Sequence, residues 1–460
     1  MTNVPMTRPE LMLAQFRTHF FHNSSYVRLD EGRIVHACCD WVNHSEDGGL
    51  SWSEPKVHRD ANGNRIGGAE TSLVKLSGRN EIGMSGRLKV ELTGTEYALP
   101  PNSVGFLFWR SMDGGETWDP PVPMSPPGLP TAGYQDTFVR TGSGRIVLPV
   151  FLTIGQSSGP NDRFEPMSGK PVQNQFVGTA GHFFDPRFSC SYVLYSDDDG
   201  HTWQMNKDGA LIILHDWNAL FSYSNEATLT EVKPGRLLMM MRNGLGRLFQ
   251  AWSNDNGESW TRPQPTVLAS STCPAQVRTL PNGHLLCVWN QEDEQEIRAG
   301  YNRTRISSAI SRDGGRVWEF FQNVESLHET TRVEPGPIQP TRPEEIYLPA
   351  GQPATERDPR FVQVAEEHGR WSYPSVFVGD DRVMIAHTYT TYVHDPTKAE
   401  FFISSKRPTP GDPRFEPLEP NGSMNGFNQK LKVLPLKWFY GGKEPADNPF
   451  LKAAYEPAKP

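Results

Sequence analysis

The chain has 460 residues, a formal net charge of −8, 36% hydrophobic and 11% aromatic residues, with Gly 41 and Pro 40. An acidic balance without any basic run argues against nucleic acid or an anionic membrane as partner. No segment approaches the roughly 20 apolar residues of a membrane span, and the start, Met1 to Glu10, has no apolar signal-peptide core; a soluble protein is expected, cytoplasmic or a trimmed secreted form.

The Gly, Pro and aromatic content suits many short strands joined by tight turns. At this length one all-β domain over 1–460 is expected. The five cysteines, Cys38, Cys39, Cys190, Cys273 and Cys287, are odd in number and lack metal-ligand spacing. They read as buried reduced thiols, and neither metal nor cofactor is expected.

Along the chain, Ser45 to Trp52 (SEDGGLSW) is the first of five copies of one design, Ser-x-Asp-x-Gly-x-(Ser/Thr/Val)-Trp. The others are Ser111 to Trp118, Ser196 to Trp203, Ser253 to Trp260 and Ser311 to Trp318. Each reads as a hairpin turn: the Asp carboxylate accepts backbone amides, Gly takes a positive φ, and the Trp ring is buried with its indole N–H bonded. Runs of strand composition precede most copies, such as Val104 to Trp109 and Cys190 to Tyr195. A strand-turn-strand unit therefore recurs, at intervals of 66, 85, 57 and 58 residues.

These turns are Asp-boxes, and the chain resembles the sialidase (neuraminidase) superfamily with BNR/Asp-box repeats. The resemblance implies a β-propeller of four-stranded antiparallel blades, with each box joining a blade's third and fourth strands. Six blades are expected, at about 20–55, 66–122, 133–207, 222–265, 273–320 and 372–418, with an extension over 419–460. The last blade is assembled from Ser372–Val378, Arg382–Tyr389 and Phe401–Ser405, with a degenerate turn at Pro408–Asp412. Helix signals are nearly absent.

In such a blade the innermost strand begins, and the second ends, on the face opposite the boxes. Innermost starts give His22, Glu70, Asp136, Glu226, a Cys273/Gln276 region and Tyr373, and second-strand ends add Asp40, Arg87, Arg242, Asn290 and His387. So many ionisable groups have little purely structural use, because a desolvated charge is costly unless paired. The stretch Asn225-Glu-Ala-Thr-Leu-Thr-Glu-Val, followed by Gly-Arg-Leu-Leu-Met-Met-Met-Arg242-Asn243, resembles the sialidase segment holding the tyrosine's carboxylate partner and a carboxylate-gripping arginine. By resemblance Glu226 takes the proton of a Tyr373 nucleophile, and Arg242 and Arg303 grip the substrate carboxylate, with Arg305 as fallback. A phenol needs such a base, since its pKa near 10 makes it a poor nucleophile.

The chain departs from the family at the first blade, where His22-Asn-Ser-Ser-Tyr26 stands in place of Arg-Ile-Pro. Arg87 is the candidate substitute, and Asp40, then Asp136 and Glu70, are the candidate acid/base carboxylates. Three readings follow. The first is a retaining exo-glycosidase on a terminal acidic sugar, sialic acid by resemblance; the second is a uronate lyase using His22, Tyr373 and His387; the third is a glycan-binding propeller without catalysis. All three imply a carbohydrate partner.

Overall fold

In the computed structural model the described residues are 14–18, 24–38, 41–87 save four positions, 106–125, 131–154, 169–178 save two, 188–209, 222–298 save 272, 303–339 save 327, 367–393 and 428–442. They divide into two compact units. One, here the N-terminal unit, is Asn23–Asn243 with Phe249–Pro265; the other, the C-terminal unit, is Met1–His22, Gly244–Leu248 and Thr266–Pro460.

The fold is all-β and comprises the six four-stranded antiparallel blades of a β-propeller. The first blade is Ser24–Arg28, Ile34–Cys38, Trp41–Ser45 and Lys56–Val57. Ala69–Lys75, Ile82–Arg87, Phe106–Ser111 and Val122–Pro123 make the second. The third runs Thr131–Ala132, Ile146–Ile154, Phe188–Ser196 and Gln204–Met205, with Val139–Arg140 and Ser222–Tyr223 as short additions. Asn225–Lys233, Arg236–Arg242, Arg247–Ser253 and Gln264–Ala269 form the fourth, and Ala275–Thr279, Leu285–Trp289, Arg305–Ser311 and Glu319–Ser326 the fifth.

The sixth blade takes its outermost strand from the start of the chain. Its order is Glu367–Val378, Arg382–Val393, Asn428–Pro435 and Ala14–Thr18. Ala14 lies opposite Val433 and Thr18 opposite Gln429. Residues 401–405 and 408–412, read from the sequence as a strand and turn of this blade, lie outside the described residues. One α-helix is described, Glu294–Arg298.

Blades bury both faces, and their strands read accordingly. Leu285-Leu-Cys-Val-Trp289 is buried at every position, a continuous apolar run of the kind that forms when both faces of a sheet are covered. In the C-terminal unit Leu286, Val288, Ile306 and Ile310 of the fifth blade pack with Val376, Val383 and Ile385 of the sixth. In the N-terminal unit Val27, Val35 and Ala37 of the first pack with Leu73, Ile82, Met84 and Trp109 of the second. Each such side chain contributes about 1.5–3 kcal/mol on burial.

All five boxes share one hydrogen-bond plan. The Ser hydroxyl donates to the Asp Oδ1 at 2.7–2.8 Å and accepts the amide of the fifth-position Gly at 2.8–2.9 Å. The same Oδ1 accepts the seventh-position amide at 2.8–2.9 Å. The fourth position is left-handed in every copy, at Gly48, Gly114, Asp199, Asn256 and Gly314, which confines it to Gly, Asn and Asp. Indole N–H groups of Trp52, Trp203 and Trp260 donate to their own box Gly carbonyl. Trp118 and Trp318 differ from the expectation: their buried Nε1 atoms have no acceptor among the described residues.

Candidate active site

Three of the first strands carry a bulge at a candidate residue. Pairing breaks between Ala69 and Ser72 around Glu70, between Asn225 and Thr228 around Glu226, and between Ser372 and Ser375 around Tyr373. A bulge inserts an unpaired residue and re-aims its side chain. Nine described non-glycine residues have a positive φ, and five are Glu70 (68°), Asp136 (57°), Glu226 (37°), Arg303 (63°) and Tyr373 (54°). Each such conformation costs on the order of 1–3 kcal/mol, and strain of this kind collects at functional sites.

In the N-terminal unit the bulge brings Glu226 to Arg242, because Asn225 pairs directly opposite Arg242. Arg242 Nη1 donates to Glu226 Oε2, and the two are 1% and 7% exposed. A buried pair of this kind leaves an uncompensated charge if either partner is removed. Asp136 accepts the Ser25 hydroxyl at 2.9 Å and the Tyr26 amide at 3.4 Å, while its own N–H donates to Thr71 O at 3.2 Å. Since Ser25 Oγ also accepts the Leu73 amide at 2.8 Å, this carboxylate ties together the first strands of the first two blades. Glu70 Oε2, on a half-buried side chain, accepts the Gly133 amide at 2.8 Å.

Arg87 ends its strand opposite Ala69 and Phe106, with its side chain outside the described set. Asp40 and His22 lie outside the described residues.

In the C-terminal unit Arg303 and Tyr373 come together. The guanidinium carbon lies 5.0 Å from the centre of the Tyr373 ring, a cation–π contact worth about 0.5–1 kcal/mol. Arg303 O accepts the Trp371 amide at 2.9 Å, which fixes the strand bearing Tyr373 to the loop bearing Arg303. Arg303 Nε donates to Cys273 Sγ at 3.2 Å.

Arg305 is spent internally: it is 1% exposed, its Nη2 donates to Glu296 Oε1 at 2.9 Å and its Nη1 to Gln291 O at 3.1 Å. His387 corrects the expectation of a substrate contact. Its side chain has zero exposure, and its Nε2 lies 3.5 Å from Glu325, which also meets Lys432 Nζ at 2.9 Å. Inside that ionic cluster His387 has no surface to offer a ligand.

Sequence reasoning missed Glu292. It stands in the run Trp289-Asn-Gln-Glu-Asp-Glu294, a polar stretch directly after an apolar strand, and that abrupt change was the available signal. The four described cysteines, Cys38, Cys190, Cys273 and Cys287, are free and buried. Among the described residues no group of three or more His, Cys, Asp or Glu could hold a metal ion.

Residues 101–385, more than half of the chain, match the model of the BNR repeat-like domain family. The chain belongs to that family. No curated protein matches this BNR-repeat chain. Among solved structures it is similar to the intramolecular trans-sialidase from Ruminococcus gnavus in complex with oseltamivir carboxylate, with 12% identity, TM-score 0.51 and coverage of 93% of this chain and 96% of that one. It is also similar to a protein of unknown function from Dyadobacter fermentans DSM 18053, with 16% identity, TM-score 0.50, and 92% and 98% coverage. A third likeness is to the Hadza microbial sialidase Hz136, with 15% identity and TM-score 0.48; the match covers 82% of this chain and spans 64% of that protein. At these identities the shared feature is the fold.

Proposed function

We propose that this BNR-repeat chain is a sialidase-like retaining exo-glycoside hydrolase acting on a terminal acidic sugar, sialic acid by resemblance. The observation that carries the reading is the left-handed backbone shared by Glu70, Glu226, Arg303 and Tyr373. A fold that needed these positions only for packing would place residues there that tolerate the conformation, as the boxes do with Gly, Asn and Asp.

In this reading the Tyr373 oxygen attacks the anomeric carbon as the bond to the leaving oxygen breaks. A carboxylic acid protonates that oxygen, and Asp136 and Glu70 are the described candidates. Water then displaces the tyrosine, with net retention. The role of taking the phenol proton is the one the resemblance implies for Glu226; within the C-terminal unit Arg303, which lies over Tyr373, holds the substrate carboxylate, a task suited to a planar guanidinium. The name of the Ruminococcus gnavus neighbour, an intramolecular trans-sialidase, supports the substrate class.

One observation favours a second reading, a glycan-binding propeller without turnover: Glu226 is already engaged by Arg242 in a buried pair. The lyase reading loses its His387 base to burial. The deciding experiment is release of fluorophore from a fluorogenic sialoside by the wild type and by Tyr373→Phe. Release that the variant loses by about a thousandfold supports the hydrolase and its nucleophile together. Sugar binding without release by the wild type transfers support to the second reading.

A further inference from the structure

Directly after the second strand of the fifth blade, Asn290, Gln291 and Glu292 are all at zero exposure. Three consecutive polar side chains in a core are costly unless bonded; each makes bonds, while Asn290 Oδ1 and Glu292 Oε2 have no partner among the described residues. Asn290 Nδ2 donates to the carbonyls of Arg305 and Trp371, both at 2.8 Å. Gln291 donates to Ser307 Oγ at 2.8 Å and Thr331 O at 2.9 Å, and accepts the Val333 amide at 2.9 Å. Glu292 Oε1 accepts the amide of Arg303 and, at 3.2 Å, that of Thr304.

Glu292 therefore grips the left-handed residue whose guanidinium lies over Tyr373. From the geometry we infer that Glu292 is a positioning residue: by holding the Arg303 and Thr304 amides it sets the placement of the Arg303 guanidinium, and so the affinity for the substrate's anionic group. The inference rests on the hydrolase reading for the anion and on the structure alone for the grip.

The choice of a carboxylate is informative, because a glutamine would also accept an amide there without a charge to desolvate. Burial pushes the Glu292 pKa up to about 7, with a further rise from Glu296, against lowering by Ser271 and the two amides. Arg303 bonds Cys273, Asp293 and Glu294 follow Glu292 in the chain, and Glu296 itself faces Arg305 and His328. An ionised acceptor bonds an amide about twice as strongly as a neutral one. The charge thus opposes folding while tightening the grip, as expected where function outweighs stability.

The test compares the full-length wild type with Glu292→Gln and Glu292→Met. Amide hydrogen exchange at Arg303 and Thr304, corrected for intrinsic rates, reads the grip whether or not the protein turns over sialosides. The wild type is expected to lose protection severalfold between pH 8 and pH 6 as Glu292 takes up a proton, and Glu292→Gln to show weaker protection without that dependence. Sialoside kinetics read the consequence: KM raised roughly tenfold by Glu292→Gln, with kcat within about twofold. Thermal melting separates a merely structural role, since Glu292→Gln should melt at or above the wild type at pH 8.5 while binding worse.

Protection equal in the wild type and Glu292→Gln at both pH values overturns the inference, and so does a Glu292→Gln protein of unchanged KM. If Glu292→Met fails to fold, the Gln variant carries the comparison. Absence of turnover by the wild type, with the exchange difference intact, overturns the hydrolase reading but leaves the grip standing.

Discussion

Arg303 sits where several demands meet in one residue. Its backbone is left-handed, its carbonyl holds Trp371, its Nε bonds Cys273, and its charge lies over Tyr373. A lysine there would keep the charge but lose the fork and the planar face. Arg303→Lys is therefore expected to raise KM for an acidic sugar roughly tenfold, and Arg303→Leu roughly a hundredfold, with smaller changes in kcat. Steady-state kinetics on a sialoside and on the matching neutral glycoside check this, because a carboxylate-specific contact leaves the neutral substrate unaffected.

The Asp-box is the element that recurs, and its stability is local. Asp255 accepts the Ser253 hydroxyl at 2.7 Å, the Ser259 amide at 2.8 Å and the Ser259 hydroxyl. Asp255→Ala removes all three and is expected to cost about 1–2 kcal/mol, read as a lower urea midpoint at unchanged slope. Opposing the burial that would raise it, the Ser51 hydroxyl and amide, the Ser45 hydroxyl and the Leu50 amide bring the Asp47 pKa down to about 2; Asp113, Asp198 and Asp255 are also lowered. A depressed carboxylate contributes stability above its ordinary pKa of 3.8, lost as pH falls towards 2. Acid unfolding below pH 4 should therefore start at the turns, seen as early loss of amide protection at the boxes.

At the scale of the molecule, opposing titrations meet between pH 4.5 and 6.5. Burial raises Glu292 from 4.5 to about 7, so its protonated form favours folding and stability falls as pH rises through that window. Burial lowers His36 to about 4 and, with His36 nearby, His58 to about 3, both from 6.5; these histidines fold neutral, so stability falls as pH drops below 6.5. The wild type should show a muted dependence there. Glu292→Gln should expose the histidine slope, with melting temperature rising from pH 4.5 to 6.5.

The sixth blade adds a second prediction at this scale, since its outer strand comes from Ala14–Thr18. Deleting residues 1–18 leaves Asn428–Pro435 as an open edge, and the truncated chain is expected to melt lower and to self-associate, measurable by calorimetry and light scattering.

The blade count, the box turns and the hairpin carrying Glu226 and Arg242 were legible in the sequence, while the ion pair between those two side chains was not. The box is closed by bonds spanning two to four residues, as from Ser253 to Asp255 and Gly257, so its chemistry is written in consecutive letters. Asn225-Glu226 and Arg242 face each other because one hairpin joins them. Only the tertiary structure decided which strands carry a bulge, that Ala14–Thr18 completes the last blade, that His387 is buried against Glu325, and that Asn290 and Glu292 clamp Trp371, Arg303 and Arg305. The bonds of Asn290 reach across as many as 81 residues, and Ala14 lies opposite Val433. Their formation depends on which backbone groups the stacked blades leave to be satisfied, and no local pattern of residues records that.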